Sequence, residues 1–250
     1  MEETKKRNTI EYRVFGRYAL FSDPVFRMGG EKATLLVPTY QALKGITESL
    51  YWKPSIVWVI DMVRVLKPIC TENKSIRPIS YDGLPNTLSV YTYLKDPIYQ
   101  VRAHFIANPY RTEPDLIADG QNENKHYFMA RRMVEKGGRR DIFLGTRECQ
   151  AYVEPCVYGE GAGYYDDRGE IDLGLMFHSF AYPDETGRDE LGLWFWHAKM
   201  VSGEIRFISP EECDPAMYRT VRPMKPKKFG GKYGNFSGVQ STLAEEGECE

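Results

Sequence analysis

The sequence predicts an α+β fold in which strands and helices alternate over residues 1–155. Two amphipathic segments, at 37–54 and 125–136, have residues typical of helix starts and stops. Between them lies a β-branched, Trp-containing run at 55–68, which is typical of a central strand. A chain of 250 residues with 42% hydrophobic content is long enough for one large domain or two small ones.

The chain starts with a strand and a helix. Residues 9–21 alternate loosely between apolar and polar side chains and form the predicted first strand. In the segment 37–54, Thr39 is the expected N-cap and Pro54 the expected end. The apolar face of this helix consists of Tyr40, Leu43, Ile46 and Leu50.

Further strands follow this first helix. Residues 55–68 form the second strand, and 86–108 form one or two strands interrupted near Asp96 and Pro97. The polar stretch between these two runs lacks a clear period, so we expect little regular structure there.

A second helix and a closing strand complete the domain. The segment 109–124 is a loop by composition, and the helix at 125–136 stops at Gly137 and Gly138. The closing strand covers 139–155, with a bulge at Gly145. The order β-α-β-β-α-β is that of a ferredoxin-like, split βαβ domain, and RNA-recognition folds share it.

A smaller region follows this domain. Short strand patterns separated by turns indicate a small, mostly β C-terminal domain at 156–222. Residues 223–250 are first basic and then acidic, with few apolar side chains, and we expect a mobile tail.

The composition excludes several classes of protein. The net charge is −2, and no run approaches the roughly 18 apolar residues of a membrane span, so we expect no membrane partner. The N-terminal residues lack the apolar segment of a secretory signal, and the five cysteines show no CxxC spacing. We therefore expect a cytoplasmic protein without disulfides, metal or cofactor.

A strongly basic segment lies at 131–147. It holds six cations and two anions, a local charge of +4 in a nearly neutral chain. Such a cluster indicates a phosphate-bearing partner, because nucleic-acid affinity depends on the cations that reach phosphates. The turn that precedes Lys32 also fits an ordinary surface loop. The candidate RNA-binding residues are Arg131, Arg132, Lys136, Arg139, Arg140, Arg147, Lys32 and Lys44.

Lys125 and His126 are candidates for acid–base chemistry. An imidazole in a polar helix start can transfer protons near neutral pH, and the neighbouring ammonium can stabilise charge on a phosphate. The other three histidines lie in strand patterns that favour structural roles. A plain surface Lys-His pair is an alternative interpretation that the residues alone leave open.

RNA is a suitable substrate for Lys125 and His126, because its 2′-hydroxyl supplies the nucleophile. Cleavage then needs only acid–base groups and a cation. Tyr51, at the end of the first helix, is the candidate phenol. The sequence has no phosphate-loop, HExxH or GxSxG motif. Its acidic residues are too scattered to indicate a two-metal nuclease.

Five longer segments are more specific than these features. They are GRYALFSDP, the GGEK turn, VPTYQALKGITESLYWKP, Lys125-His126-Tyr127 and GGRRDIFLGTRECQAYVEP. Together they resemble the Cas-five family of CRISPR-associated proteins, in its subtype I-C (Dvulg) form. The resemblance runs from about residue 10 to 187, including YPDETG, and leaves the C-terminal tail uncovered.

The resemblance implies a RAMP-type ferredoxin-like domain and a specific activity. Members of this subtype cut pre-crRNA at the 3′ base of the repeat hairpin, without metal, by 2′-hydroxyl attack that leaves a cyclic phosphate. They then stay bound to the crRNA 5′ handle within the Cascade complex. By the same resemblance Tyr51, Lys125 and His126 are the catalytic residues, with His126 in proton transfer and Lys125 at the phosphate.

One departure and two alternatives accompany the resemblance. The family often has glycine before the Lys-His pair, whereas this chain has Asn124, which we expect to serve as the helix N-cap. A structural RNA-binding subunit that caps the 5′ handle and never cuts is the alternative function. Non-specific binding of double-stranded DNA is a further partner expectation. A DNA-binding or metal-dependent DNA nuclease activity is the second alternative, and the scattered carboxylates give it little support.

Overall fold

The computed structural model describes residues 7–23, 31–77, 88–227 and 229. These residues form both helices and strands, with two short 3-10 turns near the C-terminal end. The strands are β1 (Thr9–Gly16), β2 (Tyr18–Ala19), β3 (Ile56–Val65), β4 (Thr71–Ile76), β5 (Ser89–Lys95), β6 (Ile98–Ala107), β7 (Ile142–Phe143), β8 (Gln150–Pro155), β9 (Glu170–Ala181), β10 (Glu190–Val201), β11 (Glu204–Arg206) and β12 (Tyr218–Pro223). The helices are α1 (Tyr40–Leu50), α2 (Pro114–Gly120), α3 (Glu123–Glu135) and α4 (Pro183–Thr186).

The strands form two antiparallel sheets. The larger sheet has the order β12-β10-β11-β3-β6-β1-β8-β7, and β9 pairs with β10 beside this path. The smaller sheet has the order β2-β5-β4. In the larger sheet β1 lies between β6 and β8, with Val14 opposite Tyr99 of β6 on one side and Val153 of β8 on the other.

The helices pack against the apolar side of the central strands. Alternate residues of β1 are buried, namely Ile10, Tyr12 and Val14, as expected for a strand with one covered face. Helix α1 contacts β3, and α3 contacts β1 and β8. As a result, the end of α1 lies next to the start of α3.

Several sequence predictions are confirmed by these elements. Thr39 caps α1, because its side-chain oxygen accepts a hydrogen bond from the Ala42 N–H at 3.2 Å. The four apolar residues predicted for α1 are all buried. Two strands meet at Asp96, whose φ of 46° is the positive value of a tight turn.

Two segments predicted to be irregular contain regular structure. The predicted loop at 109–124 holds α2, which the sequence conceals because only Leu116 and Gly120 of the helix are buried. The polar stretch after the second strand holds β4, whose side chains alternate only between exposed and half-buried positions. Neither segment has the apolar period that sequence prediction depends on.

Three predicted boundaries are wrong. The first strand is divided, since β1 ends at Gly16 and β2 joins the smaller sheet. The closing strand at 139–155 is split into β7 and β8, because Gly145 adopts a φ of +91° and approaches the Leu20 carbonyl too closely for a Cβ. The N-cap of α3 is Asn122 rather than Asn124.

The C-terminal strands continue the larger sheet. Strand β11 pairs with the edge of β3 and with β10, so the predicted 156–222 region shares hydrogen bonds with the preceding strands. The tail predicted at 223–250 lies, apart from 223–227 and Phe229, outside the described residues. Among the described helices, none is long and apolar enough to cross a membrane.

Candidate active site

Tyr51 and His126 meet although 75 residues separate them. The Tyr51 hydroxyl lies 2.8 Å from His126 Nδ1. Tyr51 directly follows α1 as its extended C-cap residue, and His126 lies in the first turn of α3. The contact therefore depends on the two helices packing end to start on the sheet.

The backbone around Tyr51 is fixed by buried groups. Its N–H donates to the Thr47 carbonyl at 3.1 Å, which ends the helix. Its carbonyl accepts from the indole N–H of Trp58, a fully buried residue of β3, at 2.7 Å. Helix α1 thus ends four residues before Pro54, and the phenol is directed toward α3.

His126 is enclosed on all sides. Its side chain has 0% exposure, and Phe105 of β6 packs edge-on against the ring. Nε2 lies 2.8 Å from the backbone carbonyl of Asp119. Because a carbonyl oxygen can only accept, Nε2 carries the hydrogen, and the neutral ring presents Nδ1 as an acceptor to the Tyr51 hydroxyl.

Burial lowers the pKa of His126 below its ordinary value near 6.5. The Asp119 carbonyl and carboxylate oppose this shift, and the charges of Lys125 and Lys53 add to it. His126 is therefore a neutral base at neutral pH, ready to accept a proton at Nδ1.

Lys125 lies beside this buried pair at the surface. Its side chain is 43% exposed, and its ammonium donates to a carboxylate oxygen of Asp119. The other oxygen of Asp119 accepts from the Ser55 hydroxyl at 2.6 Å. Asn122 holds this turn in place by accepting from the Lys125 N–H at 3.2 Å.

Six of the eight predicted RNA-binding residues are exposed, whereas Lys32 is half-buried and Lys44 is buried. Lys32 stacks over the Tyr91 ring at 5.1 Å in another part of the fold. Lys44 is only 4% exposed and donates to Glu185 at 2.5 Å, so this ion pair must open before Lys44 can contact a phosphate. The exposed residues on α3 and the segment after it are Arg131, Arg132, Lys136, Arg139, Arg140 and Arg147.

Asp119 is the site residue that sequence inspection did not identify. It lies near the end of α2, within the segment predicted to be a loop, and contacts both Lys125 and His126. The sequence feature that could have indicated Asp119 is its position six residues before Lys125. An acidic residue so close to Lys125 and His126 is a natural ion-pair partner for them.

The site joins a buried tyrosine–histidine hydrogen bond to an exposed lysine and a neighbouring basic helix, an arrangement suited to proton transfer at a phosphate. A sequence model described as CRISPR-associated protein (Cas_Cas5) matches residues 9–208. The match covers most of the chain, and the protein belongs to this family.

Similar proteins carry related names. The chain is 28% identical over 193 residues to a CRISPR pre-crRNA endoribonuclease Cas5d of Thermus thermophilus, covering 73% of this chain and 77% of that one. It is 27% identical over 216 residues to a protein of the same name from Mannheimia succiniciproducens, covering 76% and 84%. A crystal structure titled as a CRISPR-associated protein is 36% identical, with a TM-score of 0.69 and coverage of 85% and 96%.

Proposed function

We propose that this protein is an endoribonuclease that cuts CRISPR repeat RNA at the 3′ base of the repeat hairpin. The observation that carries this proposal is the hydrogen bond between Tyr51 and His126, with Lys125 adjacent in sequence. Family membership and the names of the relatives support the substrate class. A subunit that only bound RNA would need cations but not a buried phenol–imidazole pair.

The proposed reaction needs no metal ion. The 2′-oxygen of the RNA attacks the adjacent phosphorus, the bond to the 5′-oxygen breaks, and a 2′,3′-cyclic phosphate forms. Neutral His126 takes the proton of the 2′-hydroxyl, either directly or through the Tyr51 hydroxyl, and the leaving 5′-oxygen takes its proton from a solvent water. Lys125 stabilises the charge on the pentacovalent phosphate.

Access to the pair requires movement. Tyr51 is 1% exposed and His126 is 0% exposed, so RNA reaches them only after neighbouring side chains shift. The exposed ammonium of Lys125 is the group that a scissile phosphate meets first.

We further infer that the central strands form a ferredoxin-like RAMP domain. The support is their order β8-β1-β6-β3, with α1 between β1 and β3 in sequence and α3 between β6 and β8. In this proposal the protein remains on the crRNA 5′ handle after cleavage, as a cytoplasmic Cascade subunit that contacts other subunits. The exposed arginines then hold the RNA, and non-specific contact with double-stranded DNA involves the same cations.

Purified protein incubated with its own repeat RNA in EDTA tests the proposal. We expect a single cut at the hairpin base with a cyclic phosphate end. His126→Ala should slow cutting by roughly 10²–10⁴-fold while RNA binding persists, because it removes a proton-transfer group. His197→Ala, which removes an exposed histidine of β10, is the matched control and should cut normally.

Tight binding without any cut by the unaltered protein would favour the alternative function, a structural subunit that caps the 5′ handle. Cleavage that disappears in EDTA would contradict the metal-independent reaction. Equal activity of His126→Ala and the unaltered protein would remove His126 from the site.

A further inference from the structure

The geometry points to Asp119 as a positioning residue that fixes Lys125 and stabilises the protonated form of His126 during the proposed cleavage. This inference rests on the proposed function, since it assigns a role within that reaction. Asp119 acts through Lys125 and His126, both of which it contacts, and not on the RNA.

The first contact orients the lysine. A lysine side chain is long and flexible, so an exposed one samples many rotamers. Here the ammonium of Lys125 donates to Oδ1 of Asp119, whose own side chain is only 9% exposed. The carboxylate thereby keeps the ammonium close to the imidazole before RNA binds.

The second contact concerns charge. Oδ2 of Asp119 lies 3.5 Å from Nε2 of His126, on the side of the ring away from Tyr51. Among the residues that the structure describes, the titratable groups around the ring are Tyr51, Lys53, Asp119 and Lys125. Of these four only Asp119 is an acid that is negative at neutral pH, so it favours the imidazolium that forms when His126 accepts a proton.

The carboxylate itself is held rigidly. Ser55, at the start of β3, donates its hydroxyl to Oδ2 at 2.6 Å. The next residue, Gly120, lies so close to β3 that a Cβ would be 2.6 Å from the Ser55 carbonyl oxygen. Helix α2 therefore packs directly against Ser55, the residue before β3, at the position that delivers Asp119 to the site.

The test that needs no RNA is an NMR titration of the His126 imidazole, assigned by the signal that His126→Ala loses. In Asp119→Asn the pKa of His126 should fall below its value in the unaltered protein, because the Asp119 charge opposes the burial effect. Loss of Lys125 from its place would raise this pKa, but the lysine is the weaker influence. Asp119→Glu should retain the unaltered pKa in large part.

The RNA test measures single-turnover cleavage against pH. Asp119→Asn should cut roughly 10- to 100-fold more slowly, the rate equivalent of one lost charge-assisted interaction, and its acidic limb should move to lower pH. Asp119→Glu should recover part of the rate. Asp115→Asn removes an exposed carboxylate from the same helix and should match the unaltered protein in both experiments.

An unchanged His126 pKa in Asp119→Asn would overturn the inference, and so would a rate loss with no shift of the acidic limb. If the unaltered protein fails to cut at all, the proposed function is wrong. The imidazole titration still decides, independently of cleavage, whether Asp119 raises the pKa of His126. If Asp119→Asn does not fold, Ser55→Ala provides the second variant, and a His126 pKa unchanged in that protein would count against the inference.

Discussion

At the scale of single residues, two buried histidines have different chemistry. His178 stacks on Tyr40 at a centroid distance of 4.4 Å and contacts the Ser179 hydroxyl and the Ile208 carbonyl. Both of its nitrogens face neighbouring groups within β9 and the chain after β11. His126 instead bonds to the Tyr51 phenol and lies next to the Lys125–Asp119 ion pair, and our proposal that His126 is reactive rests on these neighbours.

His178 makes stability depend on pH. Burial lowers its pKa to about 4, whereas the unfolded chain titrates near 6.5. As the pH falls, the unfolded state therefore takes up a proton at His178 before the folded state does. The free energy of unfolding keeps its full value above pH 6.5 and decreases as the pH falls from 6.5 toward 4. At pH 4.5 the loss is on the order of 2 kcal/mol.

Urea unfolding at pH 7 and pH 4.5 measures this loss. His178→Gln should be less stable at pH 7 but should lose less stability between the two pH values than the unaltered protein does. Equal losses in the two proteins would show that His178 does not titrate in this range.

At the scale of elements, α2 is the helix that places Asp119 beside Lys125 and His126. It has seven residues and little apolar surface, so its stability comes from contact with β6 and with Ser55, the residue before β3, rather than from its own sequence. Gly120 permits that contact, because any larger residue would press on the Ser55 carbonyl.

Gly120→Ala should displace α2 and with it Asp119. We expect RNA cleavage to fall at least about tenfold, the rate equivalent of one misplaced charge-assisted contact, with a smaller effect on RNA affinity. Gly45→Ala in α1 is the matched control, since a Cβ there meets no atom within 4 Å. That variant should cut normally and be more stable by about 0.5–1 kcal/mol. Unaltered cleavage by Gly120→Ala would show that α2 does not position the site.

The sequence predicts periodic elements better than contacts between distant ones. The apolar face of α1 and the β-branched run of β3 follow from local patterns. The approach of Tyr51 to His126 depends on how two helices pack, which no local pattern encodes, and the family resemblance supplied it instead. Asp119 could not be predicted because it lies in α2, a short and polar helix whose formation depends on tertiary contacts and not on a local pattern.

At the scale of the whole molecule, charge is concentrated in one region. The chain carries −2, yet residues 131–147 carry +4 and their cations are exposed. Arg131 also bonds to Glu135 at 3.2 Å, an exposed pair that contributes little to stability and can be exchanged for a phosphate.

Arg131→Ala combined with Arg139→Ala should weaken RNA binding and flatten its salt dependence. Each lost phosphate contact lowers the slope of log affinity against log salt by roughly 0.7–0.9. Binding measured at several salt concentrations gives the slope. Lys199→Ala with Arg206→Ala removes two exposed cations from β10 and β11 and should leave it unchanged. An unaltered slope in the arginine variant would exclude this surface from the RNA path.

The pairing of β11 with β3 has a consequence for synthesis of the chain. Glu204 lies opposite Arg64 and Arg206 opposite Met62, so three late residues cover part of an edge made well over a hundred residues earlier. While the ribosome makes the intervening segment, that Val- and Ile-rich edge has backbone groups open to other nascent chains. Strand β11 therefore covers the part of this edge at residues 62–64 only after residues 204–206 have been made.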